Sequence, residues 1–290
     1  MELHRPVLLD EVLSVLKPQK GESYFDLTAG MGGHAEKILE ATQNYKDSVL
    51  NDRDEFAIKQ LRARFSEKSV VITKGNFYST ALRLVECSKT FDLILADFGV
   101  SSPQLDEAER GFSIMRDGPL DMRMDREQEL TAERVVNHFS VERLTSIFVK
   151  YGEESEKRAR RIALEIAQGR PWNSTTELAE KIRAMSGYSK VHPATRIFQA
   201  IRICVNDELG EIERTLRLLP ALLSEGGRVG IISFHSLEDR LVKEYFREEE
   251  GQGIESKLKI LTKKPVVASE EELVINPRAR SAKLRVAVRI

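Results

Sequence analysis

Residues 24–39 read YFDLTAGMGGHAEKIL. Tyr24, Phe25 and Leu27 begin an apolar run of the kind a buried strand needs. Gly30, Gly32 and Gly33 crowd three glycines into four positions, and Ala35, Ile38 and Leu39 then recur at helical spacing. A strand that runs through a glycine turn into a helix aims backbone N–H groups at whatever the turn holds, as open α/β sheets do. G-x-G-x-x-A (Gly30, Gly32, Ala35), with an acid about twenty residues on at Asp52, satisfies the dinucleotide and the S-adenosylmethionine patterns equally loosely.

Asp26 separates the two. It closes the first strand, where a carboxylate repels a pyrophosphate but suits a ligand that carries an ammonium and a sulfonium. Charge complementarity therefore selects S-adenosylmethionine. Asp52, in "NDRD", is placed to accept from two ribose hydroxyls, as a carboxylate does well; helix capping is the alternative for both acids, with Asp54 the better candidate cap of the following helix. Phe77, in "KGNFYS", is either a wall for an adenine or a core aromatic. Asp97, in "LILADFGVSSPQL", ends the fourth strand, where such sheets place their chemistry, and its alternative is a turn cap.

Outward from this turn, further apolar runs mark strands at 49–50, 70–72, 91–96 and 229–234, the first four strands each followed by a turn or helical segment. Strands alternating with helices predict a parallel, doubly wound, Rossmann-like α/β sheet. From about residue 101 to 205 the alternation stops and four amphipathic helices are expected, over 131–139, 142–151, 156–167 and 176–185. The chain is thus expected to divide into a first part of the sheet domain (1–100), an inserted helical substrate-recognition domain (101–205) and a second part of the sheet domain (206–290).

With 290 residues, 41% hydrophobic and 31% charged, the chain is long enough for one sizeable core plus an appended unit. No stretch approaches the ~20 apolar residues of a membrane span, and the charges in "MELHRPVLLDEV" break any signal-peptide core, so a cytoplasmic location and no membrane partner are expected. Cys87 and Cys204 stand far apart and read as core residues, not as a disulfide or metal pair. The five histidines show no ligand spacing, so no metal is assigned. A net charge of −1 argues against coating nucleic acid through overall basicity. Basic side chains gather locally instead, in the segment 276–290 (Arg278, Arg280, Lys283, Arg285, Arg289, with no acid) and in the insertion (Lys157, Arg158, Arg160, Arg161). The former reads either as a charge-blunted strand edge or as a phosphate-contacting tail.

Longer motifs carry a family likeness. "DFGVSSPQLDEAERGFSIMRDGPLDMRMD" (97–125), "HPATRIFQAIR" (192–202), "IISFHSLEDR" (231–240), "NPRARSAKLR" (276–285) and "VLLDEV" near the start resemble the bacterial 16S ribosomal RNA cytosine-N4 methyltransferase (RsmH, MraW) family over nearly the whole chain. The resemblance implies a class I methyltransferase domain interrupted by a helical domain. It further implies S-adenosylmethionine as cofactor, and as substrate a cytosine in the decoding region of 16S RNA within the small (30S) ribosomal subunit, with no DNA partner expected. Carried over by position, the family's cofactor contacts fall on Gly32, Gly33, His34, Asp52, Phe77, Asp97 and Gln104, beside the Asp26 and Gly30 read above. Three positions depart from the pattern: Leu27 and Ala29 stand in the turn where relatives often have glycine and an aromatic, and Asn51 stands where an apolar residue is usual.

The amine of cytosine is a poor nucleophile because its lone pair is delocalised into the ring, so acceptor groups and positioning carry the chemistry. Asp97 is the candidate acceptor. "DFGV" occupies the place of the D/N-P-P-Y/F segment of other amino-methyltransferases, and no stacking aromatic can be read from it. His235, in "SFHSLED", is a candidate proton relay or a histidine that stabilises its turn; His34 either caps the glycine turn or touches substrate. Two other classes share parts of the pattern: a nicotinamide oxidoreductase through the glycine turn, and a non-catalytic assembly factor that merely binds the cofactor.

Overall fold

The computed structural model describes residues 6–186, 191–251 and 256–290. Short apolar runs form β1 (Tyr24–Asp26), β2 (Val49–Asp52), β3 (Val71–Lys74), β4 (Phe91–Asp97) and β5 (Leu223–Ser233). They lie parallel in one seven-stranded sheet of order β3-β2-β1-β4-β5-β7-β6, completed by β6 (Leu258–Ile260) and β7 (Lys283–Arg289), which run antiparallel to their neighbours. The order reverses between β1 and β4. That reversal opens a crevice at the carboxyl ends of the strands.

Burial on both faces explains why the central strands are nearly continuous apolar runs. Along β4, Leu93 and Leu95 point into one core, with Leu50, Ile58 and Ile38; Ile94 and Ala96 point into the other, with Phe25, Val229 and Phe246. Each fully buried side chain of this size stabilises by about 1.5–3 kcal/mol. Helices Gly33–Thr42, Glu55–Arg64 and Phe77–Glu86 make the crossovers between β1, β2, β3 and β4. Asp54 does cap the second of them, accepting from Phe56 N at 2.9 Å.

The structure differs from the sequence reading in three places. The expected strand at 229–234 begins earlier, at Leu223, because β5 pairs Leu223 with Phe91 and then bulges before Arg228 meets Leu93. The basic segment 276–290 takes the strand alternative over the tail, but not as an edge: residues 283–289 are β7, held between β5 and β6, with Leu284, Val286 and Ala287 buried. Its alternating charge hid an internal strand. Cys87, expected in the core, is exposed at the end of its helix, and Cys204 is only partly buried.

The chain divides into two compact units, 1–99 with 209–290, and 100–208. The second is helical, and four of its helices start on a hydroxyl side chain: Thr131, Ser140, Ser155 and Ser174 each accept from a backbone N–H in the first turn of Ala132–His138, Val141–Gly152, Glu156–Gln168 and Thr175–Ala184. Together with Thr195–Asn206 these helices enclose their own core, which includes Phe148, Ile162, Trp172 and Ile201.

Asn51, one of the departures from the family pattern, is a polar tie inside the sheet unit. Its amide donates to the carbonyls of Leu27 (2.9 Å) and Gly75 (3.1 Å), and its oxygen accepts from the hydroxyls of Thr73 (3.1 Å) and Thr80 (2.7 Å), with the residue 1% exposed. All four bonds of which a carboxamide is capable are made, so the segments that follow β1 and β3 are bound to β2. Asn51→Leu keeps the volume but strands these partners. We expect chemical denaturation to show a loss of about 2 kcal/mol or more in unfolding free energy, the usual cost of buried polar groups left unmade.

Candidate functional site

The glycine turn takes its shape from two left-handed residues, Gly30 (φ 54°) and Gly32 (φ 83°). At Gly33 the requirement is one of space, since a Cβ there would lie 2.4 Å from the Pro6 ring of the N-terminal segment. That segment also fixes His34. The carbonyl of Val7 lies 2.9 Å from His34 Nε2, and because a carbonyl only accepts, Nε2 carries the proton. The other ring nitrogen, Nδ1, lies 4.0 Å from Asp97 Oδ2.

Three neighbouring strands, β2, β1 and β4, each end in an aspartate: Asp52, Asp26 and Asp97. Asp52 ties the turn to β2, accepting from Gly30 N through Oδ2 and from Asp54 N through Oδ1, both at 2.8 Å. Two such bonds leave a carboxylate with unused lone pairs. Burial raises its pKa against the pull of those two donors.

Asp26 is 2% exposed; it accepts from Tyr24 Oη at 2.7 Å and from Thr28 N at 3.2 Å. Burial, reinforced by the Asp52 charge, pushes its carboxyl up to about 7 despite those bonds. Asp97 is positioned through its own backbone, whose N–H donates to Thr28 Oγ1 at 2.6 Å. Its side chain keeps 27% exposure, yet Oδ1 is buried with no hydrogen-bond partner. Burial first, then the Asp26 and Glu238 charges, hold the Asp97 carboxyl well above the usual carboxylate range. The strand ends thus form a nest of carboxylates that a cation would relieve.

The other expected residues fall in varied places. Phe77 is 7% exposed, its ring 5.7 Å from that of Phe98 and 5.7 Å below the Arg53 guanidinium, so in this structure it takes the core alternative. Gln104 belongs to the helical unit, where its Oε1 accepts from Ser101 N at 3.0 Å. His235 takes the turn-stabilising alternative. It is the N-cap of the helix Ser236–Glu250, with Nδ1 accepting from Glu238 N while the Glu238 carboxylate accepts from Phe234 N and His235 N, a reciprocal capping box.

The basic residues divide in the same way. Arg285 is 8% exposed and its Nε lies 2.6 Å from Asp239 Oδ1, with Lys283 Nζ 3.2 Å from the same carboxylate, so these two serve the fold instead of forming a free basic tail. Arg158 is pinned to Glu154 at 3.0 Å and to Ser186 Oγ. Lys157, Arg160, Arg161, Arg278 and Arg280 are exposed. Sequence reading missed Tyr24, Thr28 and Glu238. Glu238 left a signal, an acid three residues after the cap; the roles of Tyr24 and Thr28 follow only from the packing of β1 against β4. Among the described residues no group of three or more His, Cys, Asp or Glu is arranged to hold a metal ion.

Comparison with known proteins places the chain in a family. The chain is 47% identical to the ribosomal RNA small subunit methyltransferase H of Crocosphaera subtropica, over 99% of this chain and 89% of that protein. It is 46% identical to the protein of the same name from Synechocystis, over 99% and 93%. Among solved structures, an rRNA methylase from Streptococcus thermophilus aligns with a TM-score of 0.44 at 8% identity, over 99% of both chains. The description of one family, the MraW methylases, matches residues 1–290 without interruption, and it is to that family that the chain belongs.

Proposed function

We propose that the protein transfers a methyl group from S-adenosylmethionine to the N4 amine of a cytosine in the decoding region of 16S ribosomal RNA, acting on the small ribosomal subunit in the cytoplasm. The observation that carries this reading is the unsatisfied Oδ1 of Asp97 in a nest of carboxylates beside the glycine turn. A pyrophosphate would meet repulsion there. The cofactor, when bound, supplies an electrophilic methyl on a sulfonium. Among the described residues no helix is long and apolar enough to cross a membrane.

Gly30, Gly32, Gly33 and His34 shape the seat for the methionine end, and Asp26 favours its ammonium. Asp52 takes the ribose hydroxyls on its unused lone pairs. Phe77 packs in the core against Phe98, and the part assigned to Gln104 rests on the family resemblance. Asp97 Oδ1 accepts from the cytosine amine, which holds the nitrogen lone pair out of conjugation and toward the methyl. As the C–N bond forms and the S–C bond breaks, the amine sheds a proton, which passes to the Asp97 carboxylate that already accepts its hydrogen bond. His235 acts indirectly, by fixing with Glu238 the turn after β5.

Asp97→Asn keeps the shape and removes the acceptor charge. Single-turnover methylation of unmodified small subunits with labelled cofactor should fall by about 100-fold or more while the fold survives. A rate within a few-fold of wild type would leave Asp97 a structural residue, and a wild type that labels no RNA would end the functional reading.

Proton linkage supplies a second test. In the free fold Asp26 keeps its proton up to about 7, whereas in the unfolded chain it ionises as an ordinary aspartate. The folded state therefore holds the extra proton in between, and this group's contribution to stability declines as pH rises through that window. A cationic ligand favours the carboxylate, so binding expels the proton and tightens as pH rises toward about 7. Calorimetry in buffers of different ionisation enthalpy should show release of up to about one proton with S-adenosylmethionine, and less for Asp26→Asn.

The exposed basic residues are assigned to particular phosphates on the assembled subunit. If three or four of Lys157, Arg160, Arg161, Arg278 and Arg280 make such contacts, log affinity falls against log salt with a slope of about −2 to −4. Replacing Arg278 and Arg280 with Ala should flatten that slope and leave cofactor affinity unchanged in a filter-binding and calorimetry pair.

A further inference from the structure

Successive side chains of a strand point to opposite faces, so residues two apart share one. Asp26 follows Tyr24 in this way, Asp52 follows Leu50 and Asp97 follows Leu95, and Tyr24, Leu50 and Leu95 belong to one core. The end of β5 continues that face. Ile232 lies in the same core and stands opposite Asp97 in the register of β4 and β5, and Phe234, two residues on, packs against that core. The ends of four strands therefore bring three carboxyl groups and one aromatic ring to the same side of the sheet.

Phe234 is only half-buried, whereas Phe77 and Phe98 are buried in the core of the opposite face. Its ring approaches Gly99, two residues after Asp97: a Cβ there would stand 3.4 Å from Phe234 Cδ2. Gly99 holds a φ of 106°, open to glycine and strained for any other residue, so it turns the chain off β4 and lets the ring lie close. The main chain of Phe234 is fixed as well, its N–H donating at 2.7 Å to the Glu238 carboxylate of the capping box. The charge of that same carboxylate helps to raise the pKa of Asp97, so the turn after β5 and the acid at the end of β4 are close neighbours.

We propose that Phe234 is the stacking platform for the target cytosine, bearing on the face of the base while Asp97 takes its amine. The inference rests on the reading of the protein as an RNA cytosine methyltransferase and deepens it by naming what holds the base. A base drawn out of its stack loses the neighbours on its faces, and enzymes that act on single bases replace them with aromatic or apolar side chains. A hydrogen bond from the amine lies in the plane of the base, so it fixes the edge and leaves the tilt free. An aromatic face beside the acceptor removes that freedom, which is what aligning the nitrogen lone pair with the methyl group requires. Neighbouring strands run about 4.8 Å apart, so a ring at the end of β5 is within reach of a pyrimidine held at the end of β4.

Two variants and two substrates make the test. On unmodified small subunits, single-turnover methylation by Phe234→Leu, which keeps apolar bulk without the aromatic face, should fall about tenfold or more. Phe234→Tyr should stay within about threefold of wild type, and both variants should keep wild-type affinity for S-adenosylmethionine in calorimetry. In filter binding, the affinity that Phe234→Leu loses for these subunits should not be lost on subunits reconstituted with 16S RNA lacking the target base, because the platform then has nothing to hold. No rate loss in Phe234→Leu, equal rate losses in the two variants, an affinity loss of the same size on both substrates, or weakened cofactor binding in either variant makes Phe234 a packing residue and overturns the platform, while wild-type activity leaves the functional reading standing. A wild type that methylates no RNA overturns both.

Discussion

Acidic side chains gathered at the ends of adjacent strands, buried away from bulk water, are the constraint around which the sheet unit is organised. Asp52, Asp26 and Asp97 end β2, β1 and β4, and their raised pKa values record what it costs to hold carboxylates together away from bulk water. Water would relieve that cost if the turn opened. It stays closed because the carboxyls of Asp52 and Asp26 accept from backbone, Asp52 from Gly30 and Asp54 and Asp26 from Thr28, while the Asp97 main chain donates to the Thr28 hydroxyl. A bound cation favours the ionised form of these carboxyls, so the protons that burial holds on them in the free protein are exchanged for the cation.

Support for that cluster comes from groups that touch no ligand in the proposed mechanism. Asn51 binds the segments after β1 and β3 with its full set of four bonds. The N-terminal segment presses Pro6 against Gly33, orients His34 through Val7, and is anchored in turn by Leu8 N, which donates to Glu272 at 2.8 Å. Leu8 holds a left-handed φ of 56°, a strained state for a branched residue, and its side chain is fully buried, which over-determines the position. The residues nearest the chemistry are thus held from the two ends of the chain.

The helical unit follows a different logic. Its core is its own, its helices start on hydroxyl caps, and its longest irregular segment is fixed by buried polar groups such as Arg110 and Asn206. A segment tied so closely has little conformational freedom left to lose in any contact it makes, the general advantage of preorganisation.

The parallel sheet, the glycine turn and the helical character of the middle segment were legible in the sequence because they rest on local patterns: apolar runs bounded by turns, apolar residues at helical spacing, and closely spaced glycines. Asp26, Asp52 and Asp97 were legible as well, since each ends a strand that its own apolar run announces. What lies between distant segments was not. The strand Lys283–Arg289 reads either as a charge-blunted strand edge or as a basic tail until Arg285 finds Asp239, 46 positions away, and Leu284 pairs with Ile232. His235 reads equally as relay or cap, and Phe77 as adenine wall or core, until the neighbouring backbone and rings are in place. Local sequence determines which conformation a segment prefers; only tertiary packing determines which charges meet a partner and which, like Asp97 Oδ1, are left waiting for one, because desolvation and pairing are properties of the neighbours a side chain acquires on folding.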